Sequence, residues 1–156
     1  MNIKQNVHSK NFTEEDARWM KVAINYARHG VGLTSKNPSV GCVIVKNNQL
    51  IGVGRTSNGG RPHAEENALN MAGKNSNGAF LYVTLEPCHM CSKAIVDARI
   101  KNLFIGALEP KSGSVVSVDN FLDAKFLNHK VNYESGFLDK ESASLLKSFF
   151  RSRRDK

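Results

Sequence analysis

Three stretches decide the fold: Phe80-Leu81-Tyr82-Val83-Thr84-Leu85, then Glu86-Pro87-Cys88-His89-Met90-Cys91, and ten residues on Asn102-Leu103-Phe104-Ile105-Gly106-Ala107. The first and last are short apolar runs of strand length. Residues from about 88 to 98 read as a short helix between them, so the whole is a β-α-β unit. Working back, residues 40–45 and 50–53 read as two strands joined across Lys46-Asn47-Asn48-Gln49, a turn composition. The irregular loop Ser57-Asn58-Gly59-Gly60-Arg61-Pro62 leads into a helix over about 63–71, entered just after its proline. Further back, Ala17, Met20, Ala23, Ile24 and Ala27 recur at three- and four-residue steps, the mark of an amphipathic helix over about 13–29. Thr13 suits its N-cap, Glu14, Glu15 and Asp16 suit its positive end, and Gly30 and Gly32 stop it. Working forward, residues 130–133 are a weaker last strand. A final helix over 138–151 turns Leu138, Leu145, Leu146, Phe149 and Phe150 inward. The sum is an α/β fold, a three-layer α-β-α sandwich around a mixed sheet of about five strands.

The 156 residues fit one domain over residues 13–154, with residues 1–12 as a flexible N-terminal extension. With 40% apolar and 23% charged residues the composition is that of a folded, water-facing domain, which excludes wholesale disorder. No run approaches the roughly 18 apolar residues of a membrane span, so no membrane partner is expected. Met1-Asn2-Ile3-Lys4-Gln5-Asn6 lacks the apolar core of a secretory signal. Three cysteines make no disulfide framework, so the thiols are expected reduced and the compartment cytoplasmic. Twenty-two Lys and Arg against fourteen Asp and Glu give +8, an excess that favours polyanions such as RNA or reflects compositional drift. Part of it is localised: Lys147, Arg151, Arg153, Arg154 and Lys156 crowd the C-terminus, opposed there by Asp155.

His63-Ala64-Glu65 precedes Pro87-Cys88-His89-Met90-Cys91 by one helix and one strand. Zinc prefers nitrogen and thiolate ligands, and a catalytic site keeps three protein ligands and an open position. His63, Cys88 and Cys91 supply three, for one ion per chain. Two cysteines three apart at a helix start face the same way, and that terminus favours thiolates. Glu65, two residues past His63, reaches the open position, where a carboxylate can carry the proton of an acidified water. A structural zinc site would need a fourth ligand, for which Cys42, His89 and His29 are available. Cys42 lies in the apolar run Gly41-Cys42-Val43-Ile44-Val45 and reads as a small core residue. His89 points away from its neighbours' ion if the helix starts at Cys88, and His129 is expected to be structural.

The pattern H-x-E followed by P-C-x-x-C resembles that of the cytidine-deaminase superfamily of zinc deaminases, and the resemblance covers roughly residues 13–154. It implies that superfamily's fold. The first half, with Thr34-Ser35-Lys36-Asn37-Pro38-Ser39-Val40-Gly41-Cys42-Val43-Ile44-Val45 and Gly60-Arg61-Pro62-His63-Ala64-Glu65, is similar to the deaminase domain of the riboflavin-pathway bifunctional enzyme. The second half resembles bacterial tRNA adenosine deaminase. It does so through Cys88-His89-Met90-Cys91, Pro110-Lys111-Ser112-Gly113-Ser114, Phe126-Leu127-Asn128-His129 and Phe149-Phe150-Arg151-Ser152-Arg153-Arg154.

Riboflavin-type deaminases space their cysteines further apart, around a Lys-Thr-Pro-Pro insertion that helps read a phosphate. They also carry Asp-Pro-Asn-Pro where this chain has Glu109-Pro110-Lys111-Ser112. Thr56 stands where tRNA deaminases have asparagine and riboflavin-type enzymes histidine. Asn37 fits the riboflavin-type and free-pyrimidine pattern, in which the amide grips a ring or sugar hydroxyl; the lesser alternative is a turn residue ahead of Pro38.

The resemblance implies hydrolytic deamination, with Glu65 catalytic and Asn37, Thr56 and the backbone amide of Ala64 binding the substrate. The expected substrate is a small aminopyrimidine or free base. The alternative is adenosine-to-inosine conversion at a tRNA wobble position, with Lys111, Arg151, Arg153 and Arg154 meeting phosphates. A third reading is a non-catalytic zinc-binding subunit that holds RNA, against which the presence of Glu65 argues. A homodimer is expected, and a role in the riboflavin pathway would need a separate reductase chain.

Overall fold

The computed structural model describes residues 12–154. Five strands form one sheet: β1 (Gly41–Lys46), β2 (Gln49–Arg55), β3 (Phe80–Leu85), β4 (Asn102–Ala107) and β5 (Asn132–Ser135). Their order is β2-β1-β3-β4-β5. The β1 strand pairs antiparallel with both β2 and β3, whereas β3/β4 and β4/β5 are parallel, so the sheet is mixed as expected. Four helices cover it: α1 (Glu14–Arg28), α2 (Ala64–Ala72), α3 (His89–Asp97) and α4 (Asp139–Arg154).

The period-two alternation of the strands divides the core in two. Cys42, Ile44, Leu81, Val83, Leu103 and Ile105 face α2 and α3, where they meet Ala64, Ala68, Ile95 and Val96. Val43, Val45, Tyr82 and Phe104 face the other way and pack on Met20, Ala23 and Ile24 of α1, with Leu138 and Leu145 at their edge. The three-layer sandwich follows. Thr13 caps α1 in a closed box, its hydroxyl accepting from the Asp16 N–H and the Asp16 carboxylate accepting from the Thr13 N–H. Asp16 is buried, and its other oxygen accepts the Tyr82 hydroxyl at 2.6 Å, which ties α1 to β3.

Several boundaries differ from the sequence reading. β2 runs to Arg55 because Gly52 and Gly54, which break the apolar pattern, sit under α2: a Cβ on Gly54 would collide with the Ala64 carbonyl. The hairpin turns on Asn47 and Asn48 alone, both at positive φ (52° and 61°), the geometry whose twist suits a two-residue β-hairpin. β5 pairs two residues later than expected. Phe150, expected inward, is 41% exposed. Of the expected extension, residues 1–11 lie outside the described residues, and Phe12 stacks on Phe137 with ring centroids 3.8 Å apart.

Candidate active site

Two helix starts converge on the C-terminal end of β3. His63 is the N-cap of α2 and Cys88 the N-cap of α3, both with extended backbones. Cys91 is the third residue of α3, so its thiol returns to the same side as that of Cys88. The His63 Nδ1 lies 3.8 Å from Cys88 Sγ and 3.5 Å from Cys91 Sγ, and the three ligand atoms lie within 4.8 Å of one another. A tetrahedral zinc would place nitrogen and sulfur ligands about 3.6 Å apart, so the observed triangle fits the ion. Both helix dipoles favour negative charge here. A hydrogen bond from the Cys91 thiol, joined by His63, holds Cys88 down at about 3, and that bond together with burial pushes Cys91 up. His63 is raised, chiefly by its bond to Cys88.

No fourth protein ligand joins them among the described residues. Cys42 is wholly buried in the sheet core. His29 caps α1 and meets the Asn25 carbonyl with Nδ1 at 2.8 Å. His89 faces away, its Nδ1 3.0 Å from the Ser114 hydroxyl, and His129 Nε2 sits 2.8 Å from the Ile100 carbonyl. Three such ligands would leave a bound zinc ion an open position, the arrangement that catalytic sites use.

A cavity of about 110 Å³ opens on this triangle, lined among others by Asn37, Thr56, His63, Glu65, Cys88 and Glu109. Glu65 is 4% exposed, and burial, seconded by the Cys88 charge, pushes its carboxyl up to about 7. A carboxyl poised there exchanges protons readily near neutral pH. Ala64 occupies the first position of α2, where backbone N–H groups have no partner within the helix.

Asn37 is half-buried at the cavity wall. Its Nδ2 donates to the Gly60 carbonyl at 2.8 Å, which leaves Oδ1 to accept from a ligand. Thr56 lines the same cavity. Its hydroxyl donates to the Pro38 carbonyl and accepts from the Val40 N–H, which holds the entry to β1.

The loop after β4 closes the far wall, and its anchor is a residue the sequence reading missed. Glu86, 4% exposed, accepts N–H groups of Glu109 (3.0 Å), Val115 (3.1 Å), Val116 (2.8 Å) and Ser117 (2.9 Å), and the Ser117 hydroxyl. Burial alone would push its carboxyl up, but these bonds win and hold it below the ordinary value. Gly113 lies against the carboxylate, where a Cβ has no room. The same loop carries Lys111, whose Nζ sits 5.7 Å from the Phe150 ring centroid. Phe150 shares a groove with Lys147, Arg151 and Arg154, so Lys111 and the basic helix end form one surface. The Arg153 side chain lies outside the described residues.

Residues 13–107 match the family model described as the cytidine and deoxycytidylate deaminase zinc-binding region. The chain is 40% identical over 149 residues to the diaminohydroxyphosphoribosylamino-pyrimidine deaminase of Buchnera aphidicola subsp. Schizaphis graminum, covering 90% of this chain and 97% of that one. It is 37% identical over 152 residues to the tRNA-specific adenosine deaminase of Streptococcus pyogenes serotype M1, covering 92% and 88%. Among solved structures, Acinetobacter baumannii RibD superposes with a TM-score of 0.76 at 36% identity, over 89% of this chain and 40% of that one. The chain thus spans about two fifths of the RibD chains it matches, as also for the RibD of Aquifex aeolicus at 39%. The chain belongs to the cytidine and deoxycytidylate deaminase zinc-binding family and is a zinc-dependent deaminase.

Proposed function

We propose that the protein hydrolyses the exocyclic amino group of a small aminopyrimidine or free base to a carbonyl and ammonia, with Glu65 as the proton carrier. The observation that carries this reading is that Glu65 and Asn37 line one small cavity with His63 and Cys88. His63, Cys88 and Cys91 would hold a zinc ion, which when bound would supply Lewis-acid activation of a water. Glu65 takes a proton from the attacking water as the water's oxygen bonds to the amino-bearing carbon, and delivers the proton to the ring nitrogen. A second transfer through Glu65 protonates the amine as the C–N bond breaks, and ammonia leaves with the electron pair. Asn37 Oδ1 accepts from the ring or its substituent, and the Ala64 N–H donates to a ring carbonyl. Residues 13–154 act as one domain in this reading, in the cytoplasm and as a homodimer. Ammonia release from diaminohydroxy-phosphoribosylamino-pyrimidine, cytosine, cytidine and guanine by the zinc-loaded chain tests it. Turnover of one of them, lost in Glu65→Ala, supports the reading.

One observation favours a second reading, deamination of a tRNA wobble adenosine. Lys111 continues the basic surface of Arg151 and Arg154 on the loop that walls the cavity. Turnover confined to an adenosine-bearing anticodon stem-loop would select it.

A further inference from the structure

Both chain neighbours of Cys88 are held by one residue of the loop after β4. The Ser114 N–H donates to the Pro87 carbonyl at 2.9 Å, and the Ser114 hydroxyl lies 3.0 Å from His89 Nδ1. That hydroxyl also donates to Asp119 Oδ1 at 2.6 Å. A hydroxyl has one proton and an ionised carboxylate only accepts, so Ser114 Oγ accepts from His89, whose Nδ1 carries the proton. The Phe121 ring packs on the imidazole with centroids 4.4 Å apart, and the Phe121 N–H donates to the Ser114 carbonyl. Ser114 is 2% exposed and Pro87 is buried, whereas His89 and Asp119 are exposed. The direct approach of His89 to Asp119, 3.6 Å between exposed groups, adds little. The buried hydroxyl between them carries the contact.

Helix ends fray, and Cys88 is the N-cap of α3 without a side-chain cap bond, so the helix alone holds that turn loosely. Ser114 grips it from outside, on a loop that Glu86 anchors in turn through Val115, Val116 and Ser117. Among the described residues, that loop contributes no ligand to the triangle of His63, Cys88 and Cys91. We propose that Ser114, acting through Pro87 and His89, is a positioning residue for Cys88, so that release of the metal requires this loop to let go. Groups that hold metal ligands in place typically account for about 10–100-fold in affinity. The inference rests on zinc occupying the triangle and is independent of which substrate the cavity takes.

The test is the rate at which the zinc-loaded full chain loses its metal to an excess of a colorimetric chelator. Ser114→Ala and His89→Ala should each release zinc about tenfold faster. His89→Asn, whose amide donates from near the position of Nδ1, should bring the rate back to within about threefold of the unaltered chain. Lys93→Ala, which removes an exposed ion pair on the same helix, should leave the rate unchanged. With cobalt(II) in place of zinc, the thiolate-to-metal charge-transfer band should change in His89→Ala and return in His89→Asn. His89 is exposed, so His89→Ala should move the melting temperature of the metal-free chain by no more than about 2 °C, and it covers the event that Ser114→Ala misfolds. Unchanged release in His89→Ala, no recovery in His89→Asn, or equally fast release in Lys93→Ala would overturn the inference. A chain that takes up no zinc would overturn it together with the metal assignment. Failure of the deaminase reading shows separately, as no ammonia release by a chain whose zinc retention still depends on Ser114 and His89.

Discussion

At the scale of single residues, Glu65 and Glu86 show how two buried glutamates of one cavity take different roles. Glu65 is pushed up by burial, while Glu86 is held down by four backbone N–H groups and a hydroxyl. Glu65→Ala should retain zinc, measured by metal content, and lose about 10²–10⁴-fold in kcat, the range for a positioned proton carrier. Glu86→Gln turns an amide N–H₂ towards donors and should lower stability by about 1–3 kcal/mol in urea unfolding. It should also raise KM more than it lowers kcat, because the loop it holds forms the cavity wall. The three ligands and Glu65 were legible in the sequence because their chemistry depends on residue type and short spacing. Glu86 was not, because its partners are backbone groups 23 to 31 residues away that identify themselves only once the loop is folded. For Thr56 the sequence could not show the two internal partners of its hydroxyl, Pro38 and Val40, because they lie on the neighbouring segment that leads into β1.

At the scale of elements, the site depends on α2 lying directly on β2. Gly54 faces the Ala64 carbonyl at the first turn of α2, next to His63 and Glu65. Gly54→Ala should lift that turn, lowering stability by about 1–3 kcal/mol in denaturant melts and weakening zinc retention against a chelator. Gly52→Ala, further along the same helix against Ala68, should cost comparable stability with less effect on zinc. These glycines also explain why β2 reads short in sequence: a strand interior without side chains loses its alternating signal, and what replaces the signal is a helix approaching from another part of the chain. The longer elements were legible because their faces bury continuous apolar sets. The Thr13 N-cap of α1 and the short apolar strands β3 and β4 needed no tertiary information.

At the scale of the whole molecule, the C-terminal end of the central strand β3, two helix starts and one loop meet at a single point, so metal and fold should be coupled. Removing zinc by chelation should lower the melting temperature by about 5–10 °C if the ion is held at about a hundredfold over its dissociation constant. An unchanged melting curve would argue that the triangle does not hold zinc in the folded protein. Charge operates at the same scale. If the basic helix end serves RNA, affinity for a tRNA stem-loop should fall steeply between 50 and 200 mM salt, with Arg151→Ala and Arg154→Ala reducing the slope. If it is a solvated helix terminus, the slope will be shallow and indifferent to those changes. The sequence shows the cations but not that Phe150 faces outward beneath Lys111, because helical spacing alone places it with Leu146 in the core.

The most direct measurement is ammonia release by the zinc-loaded chain and its Glu65→Ala variant, with the four small substrates and the adenosine-bearing stem-loop offered in parallel. The account predicts turnover of a small aminopyrimidine or base by the chain with Glu65 intact and loss of that turnover in the variant. Equal rates in the two proteins, or release from the stem-loop alone, would contradict it.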